Sequence, residues 1–160
     1  MAGTAVQYLA QQPLTMALIK DNNMTITKES YRFGVLFDGS AIAEKVLRTT
    51  ISMAADHDRL TCITVVETGM DHTTIEPKIR AITGTRQCDI VILENTASTT
   101  IKSCIKQYFV EQDENDDYVD FCAVGNRGLN VGNAVVGENF LGTVAQAMIS
   151  MRKLNVIFVP

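Results

Sequence analysis

The sequence predicts an α/β fold: a single doubly wound domain in which a five-stranded parallel sheet carries helices on both faces. Short apolar, β-branched runs alternate along the chain with longer segments whose apolar residues recur at helical spacing. Several of these short runs are almost entirely apolar, which is typical of parallel strands that are covered on both faces. With 160 residues, the chain is long enough for one such domain with its own core.

The predicted strands are apolar runs that stop at polar or turn-forming residues. The first ends at Asp38-Gly39-Ser40, a strong turn and helix-capping sequence, and the fourth leads into a loop that contains several glycines. The five runs are Tyr31–Phe37, Leu60–Val66, Asp89–Leu93, Phe121–Val124 and Asn155–Val159.

Helical spacing of apolar residues predicts a helix between each pair of successive strands. Pro77 suits the first turn of the second helix, and the third has the clearest apolar stripe in the chain. We expect Glu111–Asp117, which follows the third helix, to be an acidic loop exposed to solvent. The predicted helices are 41–55, 75–84, 101–109 and 144–151.

Residues 1–30 lie outside this pattern, so we divide the chain into an N-terminal extension (1–30) and a domain (31–160). Apolar residues between Val6 and Ile19 are interrupted by Pro13, and Asp21-Asn22-Asn23 is typical of a turn. The extension fits a disordered arm, or a strap that packs on the domain or on a neighbouring subunit.

Composition and charge argue against several kinds of partner. The content of 46% hydrophobic and 20% charged residues is that of an ordinary globular protein. The net charge is −4 and the basic residues are not clustered, which argues against a nucleic-acid surface, because neutralising phosphates needs a basic patch. No apolar run approaches the roughly 18 residues of a membrane span, so we expect no membrane association.

Cysteine and histidine usage argues against a metal site. The two histidines and the four cysteines are scattered, without a C-x-x-C pair, whereas zinc needs clustered ligands. Buried thiols in a reducing compartment are the better interpretation. The N-terminus has neither a secretory nor a transit-peptide pattern, so we expect a cytoplasmic protein.

The segment Gly125–Thr143 is the strongest functional signal. It lies between a predicted strand and a predicted helix, an arrangement in which backbone N–H groups and the positive end of the helix can hold phosphate. Gly125 and Gly128 leave room for a ligand to approach, and Gly142-Thr143 adds a second close approach and a hydroxyl donor. A flexible surface turn is the alternative interpretation.

In doubly wound sheets a ligand binds beyond the carboxyl ends of the strands, where the strand order reverses. If the first and fourth strands are neighbours, Asp38 and the Gly125–Gly128 turn face one crevice. The carboxylate of Asp38 can accept from an adenine amino group or a ribose hydroxyl, while the turn supplies backbone donors for phosphates. Asp38 could also act as a plain helix cap, Arg127 is either a phosphate partner or solvated, and Thr143 either donates to phosphate or is only spaced into the helix.

No reaction centre is evident. The chain has no phosphate-binding lysine loop of the Walker type, no dinucleotide fingerprint after the first strand and no G-x-S-x-G elbow. Neither His57 nor His72 lies near a nucleophile in the sequence. We therefore identify binding groups but name no catalytic residue.

Together these residues resemble the universal stress protein family. The resemblance covers about residues 32–159 and is carried by GVLFDGS, ITVV, VDFCAVGNRGL and FLGTVAQAMISMRKLNVIFVP. Nucleotide-binding members share G-x-x-G, nine further residues and then G-[S/T]; Gly125 and Gly128 match the first half and Gly142-Thr143 the second. Here thirteen residues separate Gly128 from Gly142, so the loop is longer than usual, and Asn155 stands where many members have proline.

The resemblance implies an adenine nucleotide alpha hydrolase-like fold and a site for ATP or AMP, with or without Mg²⁺. Asp38 would contact adenine or ribose, and Val65 would contact adenine through its backbone. The residues expected around ribose and phosphates are Gly125, Gly128, Gly142, Thr143 and Val144.

Members of the family commonly dimerise by pairing their last strands, and the apolar strand Val156–Val159 would be such an edge. We therefore expect a homodimer through this strand and a regulatory or stress-response role with at most weak ATP hydrolysis. The alternative is a family member that does not bind nucleotide and acts as a dimeric protein-interaction module, for which the lengthened loop is the best support. A transferase or hydrolase is a third interpretation, without an acid–base pair to support it.

Overall fold

The computed structural model describes residues 14–20, 28–67, 73–115, 118–126, 142–151 and 154–160. Within these ranges the chain forms six strands and four helices. In chain order they are β1 (Met16–Leu18), β2 (Arg32–Leu36), α1 (Ala41–Met53), β3 (Arg59–Glu67), α2 (Ile75–Thr83), β4 (Cys88–Asn95), α3 (Ile101–Glu114), β5 (Phe121–Gly125), α4 (Thr143–Ser150) and β6 (Asn155–Val159).

The strands form one sheet in the order β1-β6-β5-β2-β3-β4. The five strands β2 to β6 are parallel, as predicted, and correspond to the five apolar runs. Successive strands β3 and β4 lie on one side of β2, and β5 and β6 on the other, so the strand order reverses at β2. The doubly wound α/β fold is therefore confirmed.

Helices cover both faces of the sheet because the central strands are apolar on both faces. Val46 and Leu47 of α1 and Ile79 of α2 are buried in the core of one face. The core of the other face contains Ile105 and Phe109 of α3 together with Met148 of α4. Neighbouring residues of β6 divide between the two: Phe158 belongs to the second core and Ile157 to the first, as the alternation of side chains along a strand requires.

The sheet has one strand more than expected. β1, from the N-terminal extension, runs antiparallel to β6 and pairs Met16 with Phe158 and Leu18 with Val156. The expectation that the last strand is a free edge is therefore wrong over these residues. A strand of three residues is too short to show a hydrophobic period, so only its long-range pairing reveals it. The division into an extension and a domain stays a prediction.

The third helix is also longer than expected. The acidic residues that we predicted as a loop continue α3 to Glu114, and the chain leaves the helix at Asn115, whose N–H donates to the carbonyl of Glu111 over 3.2 Å. The amide of Gln107 donates to the Glu111 carboxylate over 2.8 Å, one turn away. Polar residues on an exposed helix face lack an apolar stripe, so hydrophobic spacing underestimates the length of the helix.

Cys62, Cys88 and Cys122 are buried and Cys104 is half-buried, and all four are free thiols. Within the described ranges, no three His, Cys, Asp or Glu side chains are grouped so that they could hold a metal ion. Of the described helices, none combines the length and the apolar character needed to cross a membrane.

Candidate functional site

The carboxyl ends of β2, β3 and β5 lie side by side at one edge of the sheet. β2 lies between the other two, with Leu36 paired to Ile63 of β3 and Val35 paired to Ala123 of β5. The first and fourth predicted strands are therefore neighbours, as the proposed crevice requires. Because the strand order reverses at β2, this edge is where a doubly wound sheet binds its ligand.

The turn after β2 is fixed by hydrogen bonds to β3. The N–H of Phe37 donates to the carbonyl of Ile63 over 2.9 Å. The buried hydroxyl of Thr64 donates to the carbonyl of Phe37 over 2.8 Å. Both partners of the second bond lie in the interior, where an unpaired carbonyl would be costly. The residue that follows, Asp38, is thus held at a defined position next to β3.

Asp38 shapes the turn but does not cap the helix. Its Oδ1 accepts from the N–H of Ser40 over 3.0 Å, and Gly39 between them has a φ of 79°, a left-handed conformation that suits glycine. The cap of α1 is Ser40, whose hydroxyl oxygen accepts from the N–H of Ala43 over 3.1 Å. The carboxylate of Asp38 is exposed and faces solvent at the end of β2, where a ligand can reach it.

Val65 is the residue of β3 that corresponds in register to Asp38. Both stand two residues beyond the pair formed by Leu36 and Ile63, the last of the β2–β3 ladder. Alternate residues of a strand direct their backbone groups to the same side, and the Ile63 carbonyl accepts from Phe37. The N–H and C=O of Val65 therefore point towards the side of β2, beyond the end of that ladder.

A backbone hydrogen bond connects the end of β5 to the start of α4. Gly125 pairs with Val159, and the next residue, Asn126, is only 8% exposed. The N–H of Asn126 donates to the carbonyl of Val159 over 3.0 Å, and its own carbonyl accepts from the N–H of Gly142 over 2.9 Å. The two ends of the segment 127–141 are thereby held together at the carboxyl edge of the sheet.

The N-terminus of α4 faces this same edge. Gly142 is its cap residue and provides no side-chain hydrogen bond to the first turn. Thr143 is exposed and Val144 half-buried. Since the Gly142 amide is engaged by Asn126, the first donors that the helix offers a ligand are the amides of Thr143 and Val144.

Two lysines add positive charge at this edge. The ammonium group of Lys78, on α2, donates to the carbonyl of Gly39 over 3.2 Å, in the turn that holds Asp38. That of Lys45, on α1, donates to the carbonyl of Pro160 over 2.6 Å, just beyond β6. Sequence analysis missed both, since neither belongs to a spaced motif. It also assigned no role to Thr64 or Asn126, although Asn126 stands within the glycine motif.

The structure thus brings six of the eight selected residues to one edge of the sheet. Asp38 follows β2, Val65 lies near the end of β3, and the others lie at the end of β5 and the start of α4. The six residues are Asp38, Val65, Gly125, Gly142, Thr143 and Val144. The two remaining residues, Arg127 and Gly128, lie outside the described residues.

Comparison with known proteins supports the fold. No family model and no curated protein sequence matches the chain. Among solved structures, a universal stress protein in complex with cAMP is similar, with 18% identity and a TM-score of 0.56 over 81% of this chain and 96% of the other. A universal stress protein family member from Burkholderia pseudomallei shows 17% identity over the same shares, 81% and 96%, but its TM-score of 0.48 carries no argument. The chain therefore has the fold of the universal stress proteins.

Proposed function

We propose that this chain is a universal stress protein that binds an adenine nucleotide, ATP or AMP, at the carboxyl ends of β2, β3 and β5. The observation that carries the proposal is the hydrogen bond from Gly142 to Asn126, because it holds the N-terminus of α4 beside the end of β5. β5 is in turn the neighbour of β2, and Asp38 lies in the turn that follows β2. A carboxylate and a helix N-terminus on either side of one crevice fit the two ends of a nucleotide.

Each selected residue has a role in this proposal. Asp38 accepts from a ribose hydroxyl or the adenine amino group, and the backbone of Val65 recognises the adenine edge. The amides of Thr143 and Val144, at the positive end of α4, hold phosphate oxygens. The family pattern adds Gly128 to the phosphate side, and the proposal adds Arg127 as a charged partner of the phosphates. Gly125 leaves space where the nucleotide crosses the end of β5.

The similarity to a solved universal stress protein in complex with cAMP supports an adenine nucleotide as the ligand class. ATP or AMP, with or without Mg²⁺, is our narrower proposal. It includes a regulatory or stress-response role in the cytoplasm with at most weak hydrolysis. The proposal includes a dimer through Val156–Val159 only if β1 first leaves the edge of β6.

Calorimetric titration tests the proposal directly. The protein is unfolded and refolded to remove any bound ligand, its native circular dichroism is verified, and ATP or AMP is titrated with and without Mg²⁺. We expect micromolar dissociation constants, about −8 kcal/mol, and much weaker binding of GTP, which lacks the adenine amino group. If the native, refolded protein binds no adenine nucleotide, the proposed site is disproved and the interaction module becomes the better hypothesis.

A further inference from the structure

Cys62 and Cys88 form a pair of neighbouring thiols in the core of the domain. Cys62 lies on β3, Cys88 is the first residue of β4, and their Sγ atoms are 3.5 Å apart. Cys88 pairs with Leu60 in the parallel ladder, so Cys62 lies two residues further along β3 and its side chain is on the same face of the sheet. Both side chains belong to the core that α1 and α2 cover. The two sulfur atoms are therefore in contact inside the protein.

A positive charge lies beside this pair. The guanidinium group of Arg80, on α2, donates to the backbone carbonyl of Cys88 over 2.7 Å. The nearby negative charges belong to Glu76, which is 3.4 Å from the guanidinium group of Arg80, and to Asp89, the exposed residue that follows Cys88. Arg80 is thus held at the start of β4, next to the thiol pair.

The two thiols differ in how readily they ionise. A hydrogen bond from Cys62 lowers the pKa of Cys88 and the charge of Arg80 adds to this effect, whereas burial opposes it. The same hydrogen bond raises the pKa of Cys62, and burial raises it further. Cys88 is therefore the thiol that ionises first, and the thiolate is the reactive form of cysteine.

Cys88 is buried but lies at the margin of the sheet. β4 is the last strand in the sheet order, and the chain neighbours of Cys88, Gln87 and Asp89, are both exposed. Cys88 itself is 2% exposed and Cys62 0%. A small oxidant can reach such a position through a slight local opening, whereas a protein disulfide is too large to enter. The location therefore selects a small oxidant such as hydrogen peroxide.

We propose that Cys62 and Cys88 form a redox-active dithiol that hydrogen peroxide oxidises to an intramolecular disulfide. The Cys88 thiolate first attacks one peroxide oxygen and the O–O bond breaks; the hydroxide that leaves recovers the proton that Cys88 had lost and becomes water. The Cys62 sulfur then attacks the sulfur of the Cys88 sulfenic acid, the S–O bond breaks, and hydroxide leaves with the Cys62 proton as a second water. The two thiols thereby lose two electrons, which reduce the peroxide.

Closing the disulfide requires a movement at the start of β4. The sulfur atoms must approach from 3.5 Å to about 2 Å, and diagonal neighbours on adjacent strands lie near the largest Cα separation that a disulfide spans. Residues 84–87, which join α2 to Cys88, belong to no helix or strand, so this end of β4 can move. A disulfide under such tension is readily reduced by a dithiol, which makes the oxidation reversible. This inference does not depend on nucleotide binding.

Peptide mass spectrometry of the full-length protein tests the disulfide. The reduced, natively folded protein is exposed to hydrogen peroxide for increasing times, alkylated in denaturant and digested with trypsin. Trypsin cleaves between all four cysteines, so a linkage of peptide 60–78 to peptide 87–102 identifies the bond between Cys62 and Cys88. Cys122 is the internal control, because it is also fully buried and burial raises its pKa.

We expect the disulfide to form at least about tenfold faster than Cys122 is oxidised, because one unit of pKa changes the thiolate population tenfold. Dithiothreitol should reverse it in the native protein. In Cys62→Ala no second thiol can react with Cys88, so dimedone should label Cys88 as a sulfenic acid. In Cys88→Ala it should leave Cys62 unlabelled. The control variant Cys104→Ala should form the disulfide at the wild-type rate.

Three results would overturn the proposal. The first is a native protein in which Cys62 and Cys88 stay reduced while Cys104 is oxidised. The second is a linkage that forms only in denaturant, or no faster than the oxidation of Cys122, because the pair would then have no reactivity of its own in the folded protein. The third is a sulfenic acid on Cys62 in Cys88→Ala. The first two results come from the wild type, so they remain decisive if a variant fails to fold.

Discussion

The N–H of Gly142 donates to the carbonyl of Asn126 over 2.9 Å, and this bond closes the base of the segment between β5 and α4. It changes how the glycine motif is interpreted. The family pattern assigns Gly142 to the phosphate site, yet its amide is already paired inside the protein. In the proposed site, the phosphate donors of α4 are therefore the amides that follow it, those of Thr143 and Val144.

Thr143 provides a test in which nucleotide affinity and helix stability should change in opposite directions. A glutamate at this first position of α4 should stabilise the helix by about 0.3–1 kcal/mol through its dipole. The same carboxylate should repel phosphates, so we expect Thr143→Glu to bind ATP at least about tenfold more weakly, with AMP less affected. Calorimetric titration and thermal unfolding measure the two effects.

Thr143→Gln is the matched control, because glutamine has nearly the same size and no charge. It should bind ATP about as well as the wild type. Equal loss of affinity in both variants would indicate crowding, and no loss in Thr143→Glu would place the phosphates elsewhere.

Asp38→Asn separates the charge of Asp38 from its role in the turn. Asparagine keeps an oxygen that can accept from the N–H of Ser40, so stability should stay within about 0.5 kcal/mol of the wild type. The charge that would strengthen a hydrogen bond to the nucleotide is lost, and we expect affinity to fall about tenfold. Asp38→Ala should show the same loss of affinity together with a less stable turn. Wild-type affinity in Asp38→Asn would contradict the proposed role of the carboxylate.

Thr64→Val tests the support of the turn that carries Asp38. The variant removes the donor to the Phe37 carbonyl and leaves that carbonyl buried without its partner. We expect a loss of about 1–3 kcal/mol in the free energy of unfolding, measured with urea, and weaker ATP binding because the turn is less well positioned. Thr61→Val, at a half-buried position on the same strand, is the control. Equal stability of the two variants would show that the Thr64 hydroxyl is not important.

Lys20 should make stability depend on pH. Burial lowers the pKa of its ammonium group from 10.5 to about 8, because the charge loses water on docking. Above pH 8 the folded protein then binds fewer protons than the unfolded chain. The free energy of unfolding should therefore rise with pH between about 8 and 10.5, relative to that of Lys20→Met.

The comparison with Lys20→Met isolates this contribution from other titrating groups. Burial raises the pKa of Cys122, which lowers stability at high pH, but this thiol is present in both proteins. The hydrogen bond to Asp120 raises the pKa of Lys28, and this contribution is lost only above the usual lysine pKa of 10.5. Denaturant titrations from pH 7.5 to 10 measure the difference, and parallel curves for the two proteins would contradict the lowered pKa of Lys20.

Much of the fold was readable from the amino-acid sequence because the signals are local. Strands such as β3 and β6 are continuous apolar runs, and α1 begins at Ser40 in the turn that Asp38-Gly39-Ser40 predicts. Capping chemistry and hydrophobic spacing act within a few residues, so each element can be recognised without knowledge of its neighbours. The alternation of these elements then predicts a parallel sheet, with its ligand at the carboxyl edge.

The pairing of distant segments was decided only in three dimensions. Lys20 reaches a carbonyl 128 residues further along the chain, and β1 pairs with the last strand through three residues that have no detectable period. Asn126 and Gly142 meet because β5 and α4 are packed on the same sheet. Such contacts depend on which elements become neighbours, which is set by packing across the whole core. For this reason the tertiary structure, and not the residue pattern, shows that the edge of β6 is covered and which amides of α4 remain for a ligand.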